Sequence, residues 1–367
     1  MSTPASQVSH EADPARQRGR LGNCPNPESV LQYEPKLRLD VLDRLINSSV
    51  LSASQFDHDL LAELVKLAAY LQTRKYNVRK ALEDKIMAAA FFEPSTRTRL
   101  SFESAMLSVG GNTISVADAK TTGVAKGESL TDIGQMFNSY ADIVVVRHTE
   151  QSAISEMTEY LRIPLINGGN GPDEHPTQAL ADWYALLKWR PEICFGEIPE
   201  QFRINIGIIG TPGNMRTVKS FRRWRFCSTR TSTTSRSFRR WPIRGDDLRE
   251  LCDGSPIGIN FSRDLEGSLE YLDVIYMNAI AFLGDGYRFY EEAFQLNAES
   301  SLKHDTVILH PLARGTELST DLDDTVHNLY FNQADGAVWI RQALLLAIFD
   351  RVRNTLPDNL LIEPGSE

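Results

Sequence analysis

The sequence predicts an α/β fold of two doubly wound parallel-sheet domains joined by interdomain helices. Three observations carry that expectation. Short apolar runs alternate with segments of helical spacing, the 367 residues exceed one ordinary domain, and a strand followed by a glycine-bearing turn restarts the alternation after residue 204.

Residues 1–45 are polar and proline-bearing and read as an N-terminal extension. Leu60, Leu61, Leu64, Leu67, Ala68 and Leu71 then form one apolar stripe, which predicts a surface helix. The run 85–92 (KIMAAAFF) reads as a buried strand that stops at Glu93-Pro94. Ser95 next opens helical spacing through Leu100, Phe102, Ala105 and Leu107, so the order is strand, turn, helix. Further buried strands are expected at 141–146 and 163–166, and a helix at 177–188, which together give a first domain over 46–189. A second, over 190–335, begins with the strand 204–209 and the turn 210–213 and continues with strands at 274–277 and 307–309. An amphipathic helix at 337–352, within a C-terminal segment 336–355, is expected to pack back on the first domain.

With 42% hydrophobic and 24% charged residues the chain has the composition of a globular protein rather than a disordered one. A net charge of -9 disfavours nucleic acid and anionic membrane as partners and leaves a small molecule. Cys24, Cys194, Cys227 and Cys252 form no CxxC pair, so neither a zinc site nor a disulfide framework is signalled. No apolar core marks the first twenty residues as a secretory signal, no run reaches membrane-spanning length, and a cytoplasmic location is expected. One stretch breaks the pattern: 220–244 is crowded with Arg, Ser and Thr and has no acid. It reads as a basic anion-binding insertion or as a poorly structured or miscoded segment.

Ser95-Thr96-Arg97-Thr98 supplies hydroxyls, a guanidinium and the free N–H groups of a helix start, the parts of a phosphate cradle. The alternative is an ordinary N-cap by Ser95 with solvated arginines. Three further motifs lie where the chain leaves a strand: Arg147-His148, His175-Pro176-Thr177-Gln178 and His310-Pro311-Leu312. Ligands of open α/β sheets bind outside the carboxyl ends of strands, so these positions can converge on one crevice.

FFEPSTRTRLSFESA, KGESLTDIGQM, VVRH, HPTQALADW, HPLAR and YFNQA-G occur in that order. The chain thereby resembles the catalytic chains of the aspartate carbamoyltransferases, in the aspartate/ornithine carbamoyltransferase family. The resemblance implies a carbamoyl phosphate domain followed by an amino-acid domain, and transfer of the carbamoyl group from carbamoyl phosphate to the amine of L-aspartate in pyrimidine biosynthesis. Neither metal nor organic cofactor is implied. Lys126-Gly127-Glu128 and Pro311 resemble the aspartate branch. By the same resemblance Ser95, Thr96, Arg97 and Thr98 hold the phosphate, and Thr98, Arg147 and His175 polarise the carbonyl. Gln178 and the backbone carbonyls of Pro311 and Leu312 receive the carbamoyl NH₂. Thr122 and Lys126 would reach into a neighbouring subunit's site, which implies a homotrimer with shared sites, open to regulatory or partner chains. Lys126 and Arg216 would face aspartate.

The chain departs from the family after 274–277, where Ala279 and Ala281 stand in place of an arginine and a glutamine. Arg288 follows in the next loop and Arg314 is retained. Two alternatives follow from that departure: a carbamoyltransferase for another amine, and a catalytically impaired paralogue with a structural or regulatory role.

Overall fold

Alanines and large apolar residues build the central strand β1 (Ile86–Phe91), which is buried from Met87 onward. Around it a four-stranded parallel sheet takes the order β2-β1-β3-β4, with β2 at Asn112–Val116, β3 at Ile143–His148 and β4 at Leu165–Asn170. The coordinates are a computed structural model that describes residues 24–117, 123–195, 204–209, 234–238, 259–262, 264–278, 282–283, 286–287, 295–363 and 365. The first 23 residues, Thr122, the 210–213 turn, Arg216, Ala279, Ala281, Arg288, Cys227, Cys252 and 220–244 apart from 234–238 lie outside the described residues.

Alternate residues of the first sheet face opposite layers, as the two-residue strand period requires. Met87, Ala89, Phe91, Ile143 and Val145 pack toward helices α1 (His58–Gln72), α2 (Thr96–Ser108), α5 (Pro176–Trp189) and α6 (Tyr330–Ile348). Ala88, Ala90, Val144 and Val146 pack toward α3 (Leu130–Tyr140) and α4 (Ala153–Thr158). From β1 the chain crosses to β2 on one side and then to β3 on the other, so the order reverses between β1 and β3. A crevice forms at such a reversal, at the carboxyl ends of both strands.

A second parallel sheet has the order β9-β8-β5-β6-β7, formed by β5 (Asn205–Ile209), β6 (Thr234–Phe238), β7 (Ile259–Ser262), β8 (Val274–Met277) and β9 (Val307–Leu309). It reverses between β5 and β8 in the same way. Helix α6 leaves this half and packs on α1, α2 and α5 of the first while touching β9.

Several expectations are corrected. Helix α1 is not a surface helix: Leu60 to Leu71 are all buried, because α6 covers it together with Glu28–Leu31 and Leu39–Leu42, so this part of the expected N-terminal extension belongs to the core. Its charged Glu63 and Lys66 are buried as a 2.9 Å ion pair, and Glu63 also accepts from the Arg38 backbone and side chain. Strand β3 runs through Arg147 and His148 instead of ending before them, since Phe91 pairs with Arg147 and Asn170 with His148. Strand β4 likewise lies later than 163–166, where its glycines and asparagines hid it. Helix α6 starts at Tyr330 and is buried on nearly every side, so it is no amphipathic cover. The stretch 220–244, read as a basic anion-binding insertion or as a poorly structured or miscoded segment, contains β6 at Thr234–Phe238, paired between β5 and β7.

Candidate active site

Phe92 N–H donates to the Arg147 carbonyl at 2.8 Å, which fastens the exit of β1 to β3. The chain then turns through Pro94 into α2, with Ser95 as its extended N-cap residue. The Ser95 hydroxyl makes no capping hydrogen bond, so the ordinary N-cap alternative is not what is found. Helix α2 therefore begins with the positive end of its dipole, and with the N–H groups of its first turn, at the crevice. Arg97 is exposed there and forms no ion pair among the described residues. Its charge is felt by His310 of the other half, which it helps to keep neutral.

Thr98, one turn into α2, is buried, and its Oγ1 lies 3.4 Å from Nε2 of His175. His175 is the N-cap residue of α5, with Pro176 at the first helical position, where a missing N–H costs nothing. Arg147, on β3, is 7% exposed. Its Nη2 donates to Glu93 Oε1 at 2.6 Å and its Nη1 to the Gly168 carbonyl at 3.2 Å, so strand, turn and β4 all fix the guanidinium. Gly169 adopts φ +120°, and a Cβ there would stand 3.1 Å from Arg147 Nη1 and 3.5 Å from His175 Cδ2. Glycine thus lets both side chains close over the β4 backbone.

On the other side, His310 follows β9 and is fully enclosed. Its Nδ1 accepts from the Leu312 N–H at 2.8 Å, so Nε2 carries the proton and donates to Glu317 Oε1 at 2.9 Å. Burial holds the imidazole pKa below its usual value against the pull of Glu317. The neutral ring pins the backbone of Pro311 and Leu312, with Leu312 at φ 50°.

A buried carboxylate joins the two sides. Asp182 Oδ1 accepts from Gln178 Nε2 at 2.8 Å and from Gln333 Nε2 at 2.5 Å, while Oδ2 accepts from the Tyr276 hydroxyl at 2.9 Å. Gln333 Oε1 in turn accepts the His310 N–H at 2.9 Å. Burial pushes the Asp182 carboxyl up to about 7, opposed by these donors and by the Arg341 charge. Arg341 is itself buried, with its guanidinium over the Phe102 ring and bonded to Ser101.

The structure brings Thr98, Arg147 and His175 into one cluster beside Ser95, Thr96 and Arg97, and connects Gln178 to the Pro311-Leu312 segment. Lys126 stands exposed at the end of the turn Gly123–Lys126. Thr122 and Arg216 lie outside the described residues. Arg314 is committed to Asp323, with Nη2 2.6 Å from Oδ2, and lies over the Tyr330 and Phe331 rings. Sequence reasoning missed Glu93, Gly169, Asp182 and Gln333. Glu93, Asp182 and Gln333 lie inside the motifs FFEPSTRTR, HPTQALADW and YFNQA, and Asp182 also stands four residues after Gln178 on one helix, whereas Gly169 lies in no such motif. Among the described residues no cluster of His, Cys, Asp or Glu is arranged to hold a metal ion, and no helix is long and apolar enough to cross a membrane.

This is the architecture of a two-domain α/β enzyme with a crevice at a sheet reversal, and comparison with known proteins makes it specific. Residues 48–188 match the aspartate/ornithine carbamoyltransferase carbamoyl-P binding domain, and residues 204–348 match the Asp/Orn binding domain of the same family. The aspartate carbamoyltransferase catalytic subunit of Pyrobaculum calidifontis is 35% identical over 82% of this chain and 97% of that protein. That of Thermococcus kodakarensis is 36% identical over 81% and 95%. The aspartate transcarbamoylase of Trypanosoma cruzi, solved with carbamoyl phosphate and aspartate, superposes with a TM-score of 0.70 at 29% identity, covering 83% of this chain and 97% of that one. The chain belongs to the aspartate/ornithine carbamoyltransferase family.

Proposed function

We propose that this chain is the catalytic chain of an aspartate carbamoyltransferase, converting carbamoyl phosphate and L-aspartate to N-carbamoyl-L-aspartate and phosphate. The observation that carries the reading is the Thr98–His175 approach at 3.4 Å with Arg147 held beside it, at the N-terminus of α2. The relatives named as aspartate carbamoyltransferases support aspartate over ornithine as acceptor.

The phosphate group lies against the first-turn N–H groups of α2, the hydroxyls of Ser95 and Thr96, and Arg97, which forms no ion pair among the described residues. The carbonyl oxygen points at Thr98 Oγ1, Arg147 and His175. As the aspartate amine attacks the carbonyl carbon, negative charge grows on that oxygen, and donors already in place stabilise the transition state more than the ground state. The C–O bond to phosphate then breaks, phosphate leaves with the electron pair, and one of its oxygens takes the amine proton. Gln178 Oε1 and the carbonyls of Pro311 and Leu312 accept from the carbamoyl NH₂ and fix the carbonyl's orientation. Lys126, Thr122 and Arg216 complete the acceptor side, the first two from a neighbouring subunit of a homotrimer. The exposed apolar residues Leu100, Leu107 and Ile114 along α2 and the edge strand β2 support such an assembly. Cytoplasmic pyrimidine synthesis is the setting that fits this reaction.

Product analysis after incubation with carbamoyl phosphate and aspartate, ornithine or other amines tests the reading. N-carbamoyl-aspartate alone is expected. Turnover with ornithine or another amine but not aspartate overturns the acceptor, a reading for which Ala279 and Ala281 give the only sequence ground. Tight carbamoyl phosphate binding without turnover of any amine points to the impaired paralogue.

A further inference from the structure

We infer that Asp182 is a positioning residue that sets the polarity of both groups receiving the carbamoyl NH₂, the Gln178 side chain and the Pro311-Leu312 backbone. This rests on the proposed binding of carbamoyl phosphate. Asp182 is fully buried, and its carboxyl is bonded to Gln178, Gln333 and Tyr276, so the role argued for it passes through these partners.

The argument is one of donor and acceptor arithmetic. A side-chain amide presents an NH₂ on one side and a carbonyl oxygen on the other, and either can face a given neighbour. A carboxylate oxygen only accepts. Asp182 Oδ1, 2.8 Å from Gln178 and 2.5 Å from Gln333, therefore compels both glutamines to turn their NH₂ groups inward. Gln178 is left with Oε1 outward, the only orientation able to receive an N–H from substrate. Gln333 is left with Oε1 toward the His310 N–H, 2.9 Å away, and so anchors the residue that precedes Pro311. Without the carboxylate the Gln178 amide is free to flip, and an outward NH₂ would repel the carbamoyl NH₂ it is meant to bind.

The Tyr276 hydroxyl explains why this control is insensitive to protonation. It meets the other carboxyl oxygen, Oδ2, at 2.9 Å. If Asp182 takes up a proton on Oδ2, that proton is donated to the tyrosine oxygen and Oδ1 remains an acceptor for both glutamines. The charged groups facing the carboxyl are few: Arg341 lies close enough to attract it electrostatically, while Gln178, Gln333 and Tyr276 are neutral. The same geometry shows why an asparagine should serve, with Oδ1 as acceptor and its NH₂ toward Tyr276. The hub also spans the molecule, since Gln178 and Asp182 lie on α5, Tyr276 on β8 and Gln333 on α6. Orientation of the donor substrate is thereby tied to the seating of the second sheet on the first.

Acetyl phosphate tests this, because it carries a methyl where carbamoyl phosphate carries the NH₂. Calorimetric titration of the full chain with each ligand gives their affinity ratio. Asp182→Leu should lower that ratio about tenfold, the worth of a correctly oriented hydrogen bond, with acetyl phosphate binding unchanged. Asp182→Asn should restore it. Should Asp182→Leu not fold, the double variant Asp182→Leu/Tyr276→Phe replaces both partners of one bond with apolar groups and is expected to show the same tenfold loss. An equal loss for both ligands would mean a merely structural role and overturn the inference. So would an unchanged ratio in Asp182→Leu while Gln178→Ala loses it, which leaves the proposed function standing. An unchanged ratio in Gln178→Ala would remove the inference together with the role given to Gln178.

Discussion

The two His-Pro turns of this chain share a dipeptide and a position at the carboxyl edge of a sheet, yet their imidazoles have opposite surroundings. His175 opens α5 with its Nε2 toward Thr98 in the first turn of α2. His310 is closed in, one nitrogen accepting from Leu312 and the other donating to Glu317. In the proposed reaction the first ring meets substrate and the second holds a backbone segment that meets substrate. What decides the role of such a histidine is the identity of the atoms at both nitrogens, which a motif does not carry.

That contrast can be broken from either side. Arg147→Ala removes the cation beside His175 and should lower kcat about 10²–10³-fold, the usual loss for one donor to a developing oxyanion, in a steady-state assay with carbamoyl phosphate and aspartate. His310→Ala strips the Leu312 N–H of its acceptor and takes from buried Glu317 its side-chain donor, leaving it the Gly315 N–H, so the fold should lose about 2–3 kcal/mol in urea unfolding. Gly169→Ala forces a side chain into φ +120° and against Arg147, with an expected cost of about 1–3 kcal/mol and a weaker grip on carbamoyl phosphate by calorimetry.

A smaller effect sharpens the same comparison. The His310 pKa is depressed in the fold below its unfolded value of about 6.5. The unfolded chain therefore binds more protons in that window, and the stability due to the neutral ring is present above pH 6.5 and lost as pH falls through the folded pKa. Glu317, held below the usual carboxylate range chiefly by its His310 and Gly315 partners against burial, adds an acid loss of the same sign at lower pH. His310→Gln should flatten the melting-temperature slope between pH 6.5 and that lower pKa.

The inner strands β1 and β3 of the first sheet were legible because they are built on uninterrupted apolar runs, whereas the edge strand β2, NTISV, is not one; the site residues sit in contiguous motifs. Ser95 to Thr98 is one such motif, and the strand-turn-helix around it follows from periodicity alone. Strand β4 was placed too early because LINGGN, buried on both faces, carries its polar atoms in internal pairs such as Asn167 with Asn170. Helix α1 looked like a surface helix because Glu63 and Lys66 read as solvated charges, whereas they neutralise each other inside. The Asp182 hub was legible only in part: Gln178 lies four residues away on one helix, whereas Tyr276 and Gln333 lie 94 and 151 positions away, and no local spacing encodes that convergence.

The most direct test of the contrast is the turnover of His175→Ala with carbamoyl phosphate and aspartate, measured well below its melting temperature. We expect kcat lower by about 10²–10³-fold with the melting temperature within about 3 °C of the parent chain. A kcat within about threefold of the parent, a loss of less than one hydrogen bond's worth, would contradict the placement of His175 at the reacting carbonyl.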